Sequence, residues 1–274
     1  MKILFCSPCS LDRTLGAAQT LMDLAEELEK RGWECDLVGP EQIDAQKADY
    51  PEKLYAYLKK HAHQYDIVDF DYTRFALHRR TFNDSTLFVA RCQLLRHHLL
   101  NVQIPPTPVL RSRLRALLLG PYDRRRLQTL VWQNTATLKE ADLVIVLNER
   151  DAHELGKHGI PASNIRVIPN GMTEERHRAF GAVPVAPPEG AIIAFIGMYG
   201  PRKGAADFPD LVRRVTEAVP EARFRLLGTR GAYKTAEEVR ALFPSTLRKY
   251  IEVIPSFAPE ALPGLLAPCS VGVF

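Results

Sequence analysis

Cysteine is scarce and poorly placed for cross-linking. Cys6, Cys9, Cys35, Cys92 and Cys269 are odd in number and widely spread, which argues against a disulfide framework. The one close pair, in Cys6-Ser7-Pro8-Cys9, matches the redox C-x-x-C spacing. A thioredoxin-like site needs preceding sheet structure and a helix that starts at the first cysteine. Here only five residues precede Cys6, and the next periodic helix starts several residues later. No second pair or close histidine has the spacing of a zinc site. Long apolar runs are also missing, since none approaches the roughly 20 residues that span a bilayer. The start, MKILFCSP, has one charge and a short apolar core; it reads as a first strand, not a signal peptide. A strong charge bias is lacking too. The 36 basic and 32 acidic residues leave a net charge of +4, which does not imply nucleic acid. These absences lead us to expect a cytoplasmic chain.

What is present is an alternation of strand and helix. Strands are expected over residues 2–7, 33–38, 66–70, 86–90, 141–147 and 165–168. Helices fall between them at 19–30, 51–63 and 149–157, where Leu21, Leu24, Ala25 and Leu28, or Leu54, Tyr55 and Leu58, recur at helical spacing. A longer helical region, residues 110–139, should break near Gly120-Pro121. Alternation of this kind means a parallel sheet covered on both faces. A loose stretch at 181–190, rich in Ala, Pro and Gly, marks a domain boundary. The predicted domains are therefore residues 1–185 and 186–274. The second repeats the logic, with strands at 191–196, 223–227, 250–254 and 270–274 and helices at 207–219, 236–242 and 260–266. Its last strand has no helix after it, which suggests an incomplete domain or an end supplied by a partner.

The chemistry-bearing segment is AIIAFIGMYGPRKG, residues 191–204. The turn after a parallel strand lies at the carboxyl edge of the sheet, beside a helix N-terminus, and both favour a bound anion. Arg202 and Lys203 supply fixed cations there, and Gly197, Gly200 and Gly204 let backbone amides approach a phosphate. Such a turn can offset the charge that builds on a departing diphosphate during sugar transfer. Asp69-Phe70-Asp71 has the D-x-D spacing of metal–diphosphate sites, but a metal-dependent enzyme of that kind would not show a second Rossmann-like start at Ala191. Asp71, at a strand's carboxyl end, is better placed to line an acceptor site. Residues 111–126 hold six arginines and one acid, with leucines on another side. That pattern reads either as a packed amphipathic helix or as a docking surface for anionic membrane, in peripheral contact, or for a phosphorylated acceptor.

In order along the chain, TLGAAQTLMDLAEELEKRGWECDLVGP, ADLVIVLNERDAHEL, IRVIPNGM, FIGMYGPRKG, RFRLLGTRG and IEVIPSFAPEALPGLLAPCSVGVF resemble the retaining family 4 glycosyltransferases of the GT-B fold. The resemblance implies two Rossmann-like α/β domains with parallel sheets facing across a cleft. It implies an acceptor on the first, a nucleoside diphosphate sugar on the second, and no obligatory metal or other cofactor. Gly16 matches a family glycine near the donor diphosphate. Lys203 matches the family lysine. Met198 stands where the family has Arg, so Arg202 is the expected substitute. Gln93 occupies a slot that often holds His; Gln donates a hydrogen bond but takes up no proton. Arg91, Gln93 and Asp71 are expected on the acceptor side. Gly228, Ser256 and Phe257 match loops that border the nucleotide. The family continues past a strand like SVGVF into a Glu-containing motif, so these 274 residues alone are not expected to turn over. A non-catalytic nucleotide-sugar-binding module is the alternative.

Overall fold

The computed structural model describes residues 1–101, 110–184, 190–200, 203–231 and 233–273, with residues 101 and 110–121 described by backbone alone. Arg202 and the 105–108 proline segment lie outside the described residues. So does the centre of the 181–190 stretch.

The chain divides into two compact units, Met1–Thr173 and Glu174–Phe274. The division falls earlier than the 185/186 boundary read from sequence. Residues Glu174–Gly181, to which the sequence reading assigned no element, form a helix. That helix buries no side chain, so it leaves no apolar period to read. It is favoured instead by Glu174 and Glu175 in its first turn and Arg178 in its last, which complement the helix dipole.

The first unit holds strands β1 (Lys2–Cys6), β2 (Glu34–Val38), β3 (Ile67–Asp71), β4 (Leu87–Cys92), β5 (Leu143–Val146) and β6 (Ile165–Val167), in sheet order β2-β1-β3-β4-β5-β6. Every neighbouring pair is parallel. Helices α1 (Gly16–Glu29), α2 (Tyr50–His61), α3 (Leu110–Glu140) and α4 (Glu149–Lys157) fall between the strands. The period-2 alternation of a strand explains the two layers. Ile3 and Phe5 of β1 meet Leu21 and Ala25 of α1. Leu4 and Cys6 point the other way, into a larger core with Leu54 and Leu58 of α2, Phe70 and Phe88.

Helix α3 runs unbroken through Gly120-Pro121, where a break was expected. Proline removes one backbone donor, yet its fixed φ of about −65° is that of a helix, so the helix continues past the local loss. Among the described residues no helix is long and apolar enough to cross a membrane.

The second unit opens with α5 (Glu174–Gly181) and holds β7 (Ile192–Ile196), β8 (Arg223–Leu227), β9 (Ile251–Ile254) and β10 (Val271–Val273), again all parallel, in order β10-β7-β8-β9. Helices α6 (Phe208–Ala218), α7 (Ala236–Arg240) and α8 (Leu262–Leu266) alternate with them. Phe208, Val212 and Thr216 recur at i, i+4 and i+8 on the buried face of α6. Phe195, Phe224 and Leu226 meet that face in the core.

Candidate functional site

Each unit presents its candidate residues at the carboxyl edge of its own sheet, where α/β folds place their ligands. In the second unit the edge is built around the turn after β7. Gly197 adopts φ +126° and Gly228, just after β8, φ +70°, both in the region that suits only glycine well. Their backbones nearly touch. A Cβ on Gly228 would lie 3.8 Å from Gly197 N and 3.3 Å from Cε1 of Phe257. The Lys203 chain folds back so that its Cε comes within 3.9 Å of where a Gly197 Cβ would stand. Gly197, Lys203, Gly228 and Phe257 are thus brought together, while Ser256 is exposed beside them in the chain. Lys203 is exposed and has no ion-pair partner among the described residues. Arg202 lies outside them. Met198 is 55% exposed, and its side chain fills the space a Cβ on Gly231 would take, 2.3 Å from Cγ.

Tyr199 holds this turn in place, a role that reading the sequence missed. Its ring is fully buried among Phe195, Phe208, Tyr233 and Phe243. Its hydroxyl donates to the Ala205 carbonyl at 3.1 Å, and its backbone N–H reaches the Thr229 carbonyl at 3.4 Å. Burial pushes its phenol pKa up. The signal available was one aromatic inside a glycine-rich turn, between a strand and a helix that both carry Phe.

In the first unit Cys6, Ala17, Asp69, Asp71, Arg91 and Gln93 line one small crevice at the ends of β1, β3 and β4. Gly16, beside it, is the first residue of α1 and has open space where its Cβ would stand. Asp71, Arg91 and Gln93 therefore do converge. Their chemistry differs from the expectation for Arg91, which is buried rather than open to an acceptor. Its Nε donates to both oxygens of Asp69 at 3.1 Å and its Nη2 to Oδ2 at 2.6 Å. Asp69 is fully enclosed. Desolvation pushes its pKa up, and the Arg91 guanidinium opposes this. With both oxygens on Arg91, half of the D-x-D pattern is a structural ion pair across β3 and β4. Asp71 accepts from Thr73 N at 2.8 Å and from the Thr73 hydroxyl. The loop carrying Gln93 is fixed by buried Tyr72, whose hydroxyl donates to Leu94 O at 2.9 Å and accepts from Arg96 N at 2.8 Å.

Cys6 and Cys9 are unpaired. Burial, then the nearby Asp69 charge, holds the Cys6 thiol well above its usual pKa, the opposite of a reactive thiolate. Among the described residues no cluster of three or more His, Cys, Asp and Glu side chains could hold a metal ion.

Behind the crevice, the two histidines after β4 are structural. His97 is fully buried, with Nε2 2.9 Å from the Thr135 hydroxyl. That hydroxyl donates to Val131 O, so it accepts from Nε2–H. The buried Nδ1 is left without a partner. Burial, and then His158 packed edge-on with ring centroids 4.6 Å apart, lower the His97 pKa to about 4, and Glu154 opposes this. His98 Nε2 lies 2.7 Å from Asp151.

Residues 15–176 match the model of Glycosyltransferase Family 4, more than half of the 274 residues. No curated protein sequence matches. Among solved structures, Anabaena HepE in complex with UDP-glucose superimposes with a TM-score of 0.64 at 17% identity, over 99% of this chain and 73% of its own. The lipopolysaccharide outer core galactosyltransferase WaaB gives 0.54 at 14%, over 97% and 70%. A Listeria monocytogenes protein described as a putative UDP-N-acetylglucosamine 2-epimerase gives 0.54 at 12%, over 99% and 73%. At such identities the likeness concerns the fold.

Proposed function

The chain belongs to Glycosyltransferase Family 4, and from that premise we propose that it moves a sugar, with retention of configuration, from a nucleoside diphosphate sugar to an acceptor hydroxyl. The observation that carries this reading is Lys203 lying over Gly197 beside Gly228 and Phe257. Two bare backbone segments and an uncompensated ammonium group suit a diphosphate, whose charge rises as the sugar departs. Lys203, with Arg202 next to it in sequence, neutralises that charge in place of a metal ion. Phe257 and Ser256 border the nucleotide. UDP in HepE makes a uridine nucleotide the first donor to test. In the first unit the Asp71–Gln93 crevice shapes the acceptor side. Gln93 supplies a hydrogen bond and no base, so the donor's own phosphate takes the acceptor proton.

Met198 in the family's arginine position and Gln93 in its histidine slot favour one alternative, a nucleotide-sugar-binding module without turnover. Calorimetric titration with UDP, GDP and ADP, followed by an assay of UDP release from UDP-sugars, separates the two. Release of UDP assigns the enzyme, and binding of none removes both.

The enzyme's place of work is a peripheral contact with anionic membrane through the arginine-rich part of α3. The side chains of residues 111–121 are outside the described set, but the described continuation supports the reading. Tyr122 and Trp132 are 64% and 71% exposed, and Arg124, Arg125 and Arg126 are exposed between them. Aromatic rings beside arginines suit a headgroup layer. In vesicle flotation, the chain should rise with phosphatidylglycerol-containing vesicles and not with pure phosphatidylcholine, and Trp132→Ala should weaken it about threefold. Equal recovery from both vesicles removes the membrane contact.

A further inference from the structure

The carboxyl edge of the first sheet also carries a second, larger hollow, of about 910 Å³, within the range of small-molecule sites. The loops after β1, β2, β3 and β4 all contribute to its wall, through residues such as Ser10, Glu41, Lys47, Arg74 and Arg96. No residue read from the sequence as functional lies in that wall.

The charges in the wall are unevenly matched. Its two acids already have partners: Glu41 accepts from the Ser10 hydroxyl, and Asp44 pairs with Lys53 at 3.5 Å. Its three cations do not. Arg74 donates from Nη2 to the Lys47 carbonyl at 2.6 Å, a neutral acceptor. Arg74, Arg96 and Lys47 have no carboxylate partner among the described residues. Arg74 and Arg96 are both half-buried. A partly desolvated guanidinium without an anion is costly to keep, and this hollow is lined by two.

Both arginines are held in place through their backbones. Tyr72 takes the Arg96 N–H at 2.8 Å. Arg74 N donates to the Asp71 carbonyl at 3.2 Å, in a turn that Thr73 closes on the Asp71 side chain. Pre-ordering of this kind lowers the entropy cost of binding. Leu15, the N-cap of α1, also lines the hollow. It offers no side-chain cap, and the first turn of α1 has no acid, so the helix end adds to the positive field.

We infer that this hollow seats the acceptor and that the acceptor carries a phosphoryl group, held by Arg74 and Arg96 with Lys47 at the rim. Paired guanidinium groups match phosphate oxygens in geometry as well as charge. The inference rests on the sugar-transfer reading and names the class of its acceptor. A sugar phosphate in solution and a lipid phosphate present the same group.

The test uses the whole chain saturated with UDP and titrated with four probes. Glucose 1-phosphate is compared with glucose, and farnesyl phosphate with farnesol in detergent. At least one phosphorylated probe should bind ten or more times more tightly than its neutral partner. Arg74→Gln and Arg96→Gln should each remove about tenfold of that affinity and Arg96→Lys less, with UDP affinity unchanged. A response to glucose 1-phosphate alone assigns a soluble acceptor, and to farnesyl phosphate alone a lipid-linked one. Equal binding of charged and neutral probes, or binding of neither, overturns the inference. The wild-type comparison alone decides this if a variant fails to fold. Failure of UDP to bind in the first step would break the donor reading and leave the phosphate comparison legible.

Discussion

The two sheet edges solve opposite problems. In the first unit the charged pair at the strand ends is sealed: Asp69 and Arg91 face each other inside the protein, joined by three hydrogen bonds. In the second unit the edge is built on glycine backbone. Gly197 and Gly228 bring backbone to the surface, and the cation beside them, Lys203, has no protein anion among the described residues. A buried charge with a partner fixes shape. An exposed charge without one is available to a ligand. The same fold therefore yields a rigid platform in one unit and a receptive turn in the other.

That contrast can be broken first at Asp69. Asp69→Ala leaves the Arg91 guanidinium buried and alone, and should cost about 3–5 kcal/mol of stability in the first unit. Denaturant unfolding checks this. Adding Arg91→Met should restore most of the loss, because removing both charges is far less costly than removing one. If the single variant unfolds like the wild type, the pair is not sealed as described.

The pH response sharpens the picture of the platform. The His97 pKa is lowered to about 4 when folded, against about 6.5 for a free side chain. The folded state thus resists protonation that the unfolded chain accepts. The sign follows: stability is complete above pH 6.5 and falls as pH drops toward 4, by about 3 kcal/mol at most. Unfolding curves across that range should show the slope, and His97→Gln should flatten it. An unchanged slope in the variant would assign the effect to other groups.

A smaller effect is expected at Gly228. Replacing it with alanine puts a Cβ at φ +70° and 3.3 Å from Phe257, at a cost of about 1–2 kcal/mol. UDP affinity should fall at least tenfold, since the close approach of the Gly197 and Gly228 backbones is disturbed. A variant that melts lower but binds UDP normally would separate the turn from the nucleotide.

Much of this was legible in the sequence. All ten strands were read from the sequence as short, mostly apolar runs between helical segments. Helix α5 was not, since it buries nothing. The glycines of the β7 turn could be read because positive φ admits few other residues. Sequence placed Asp71, Arg91 and Gln93 near one another, at the ends of β3 and β4. It could not reveal that Arg91 turns toward Asp69, because neighbours across a parallel sheet are set by register. The cations Arg74 and Arg96 were hidden for the same reason. They come from separate loops, far apart in the chain, and neither sits in a recognisable motif.

The central claim is that a fixed cation at the β7 turn holds the donor's diphosphate. Calorimetric titration of UDP into the wild type and Lys203→Ala tests it most directly, with uridine as the control that lacks phosphate. The account predicts at least a tenfold loss of UDP affinity in the variant, about 1.4 kcal/mol, an unchanged response to uridine, and an unchanged melting temperature. Equal UDP affinity in the two proteins would contradict it.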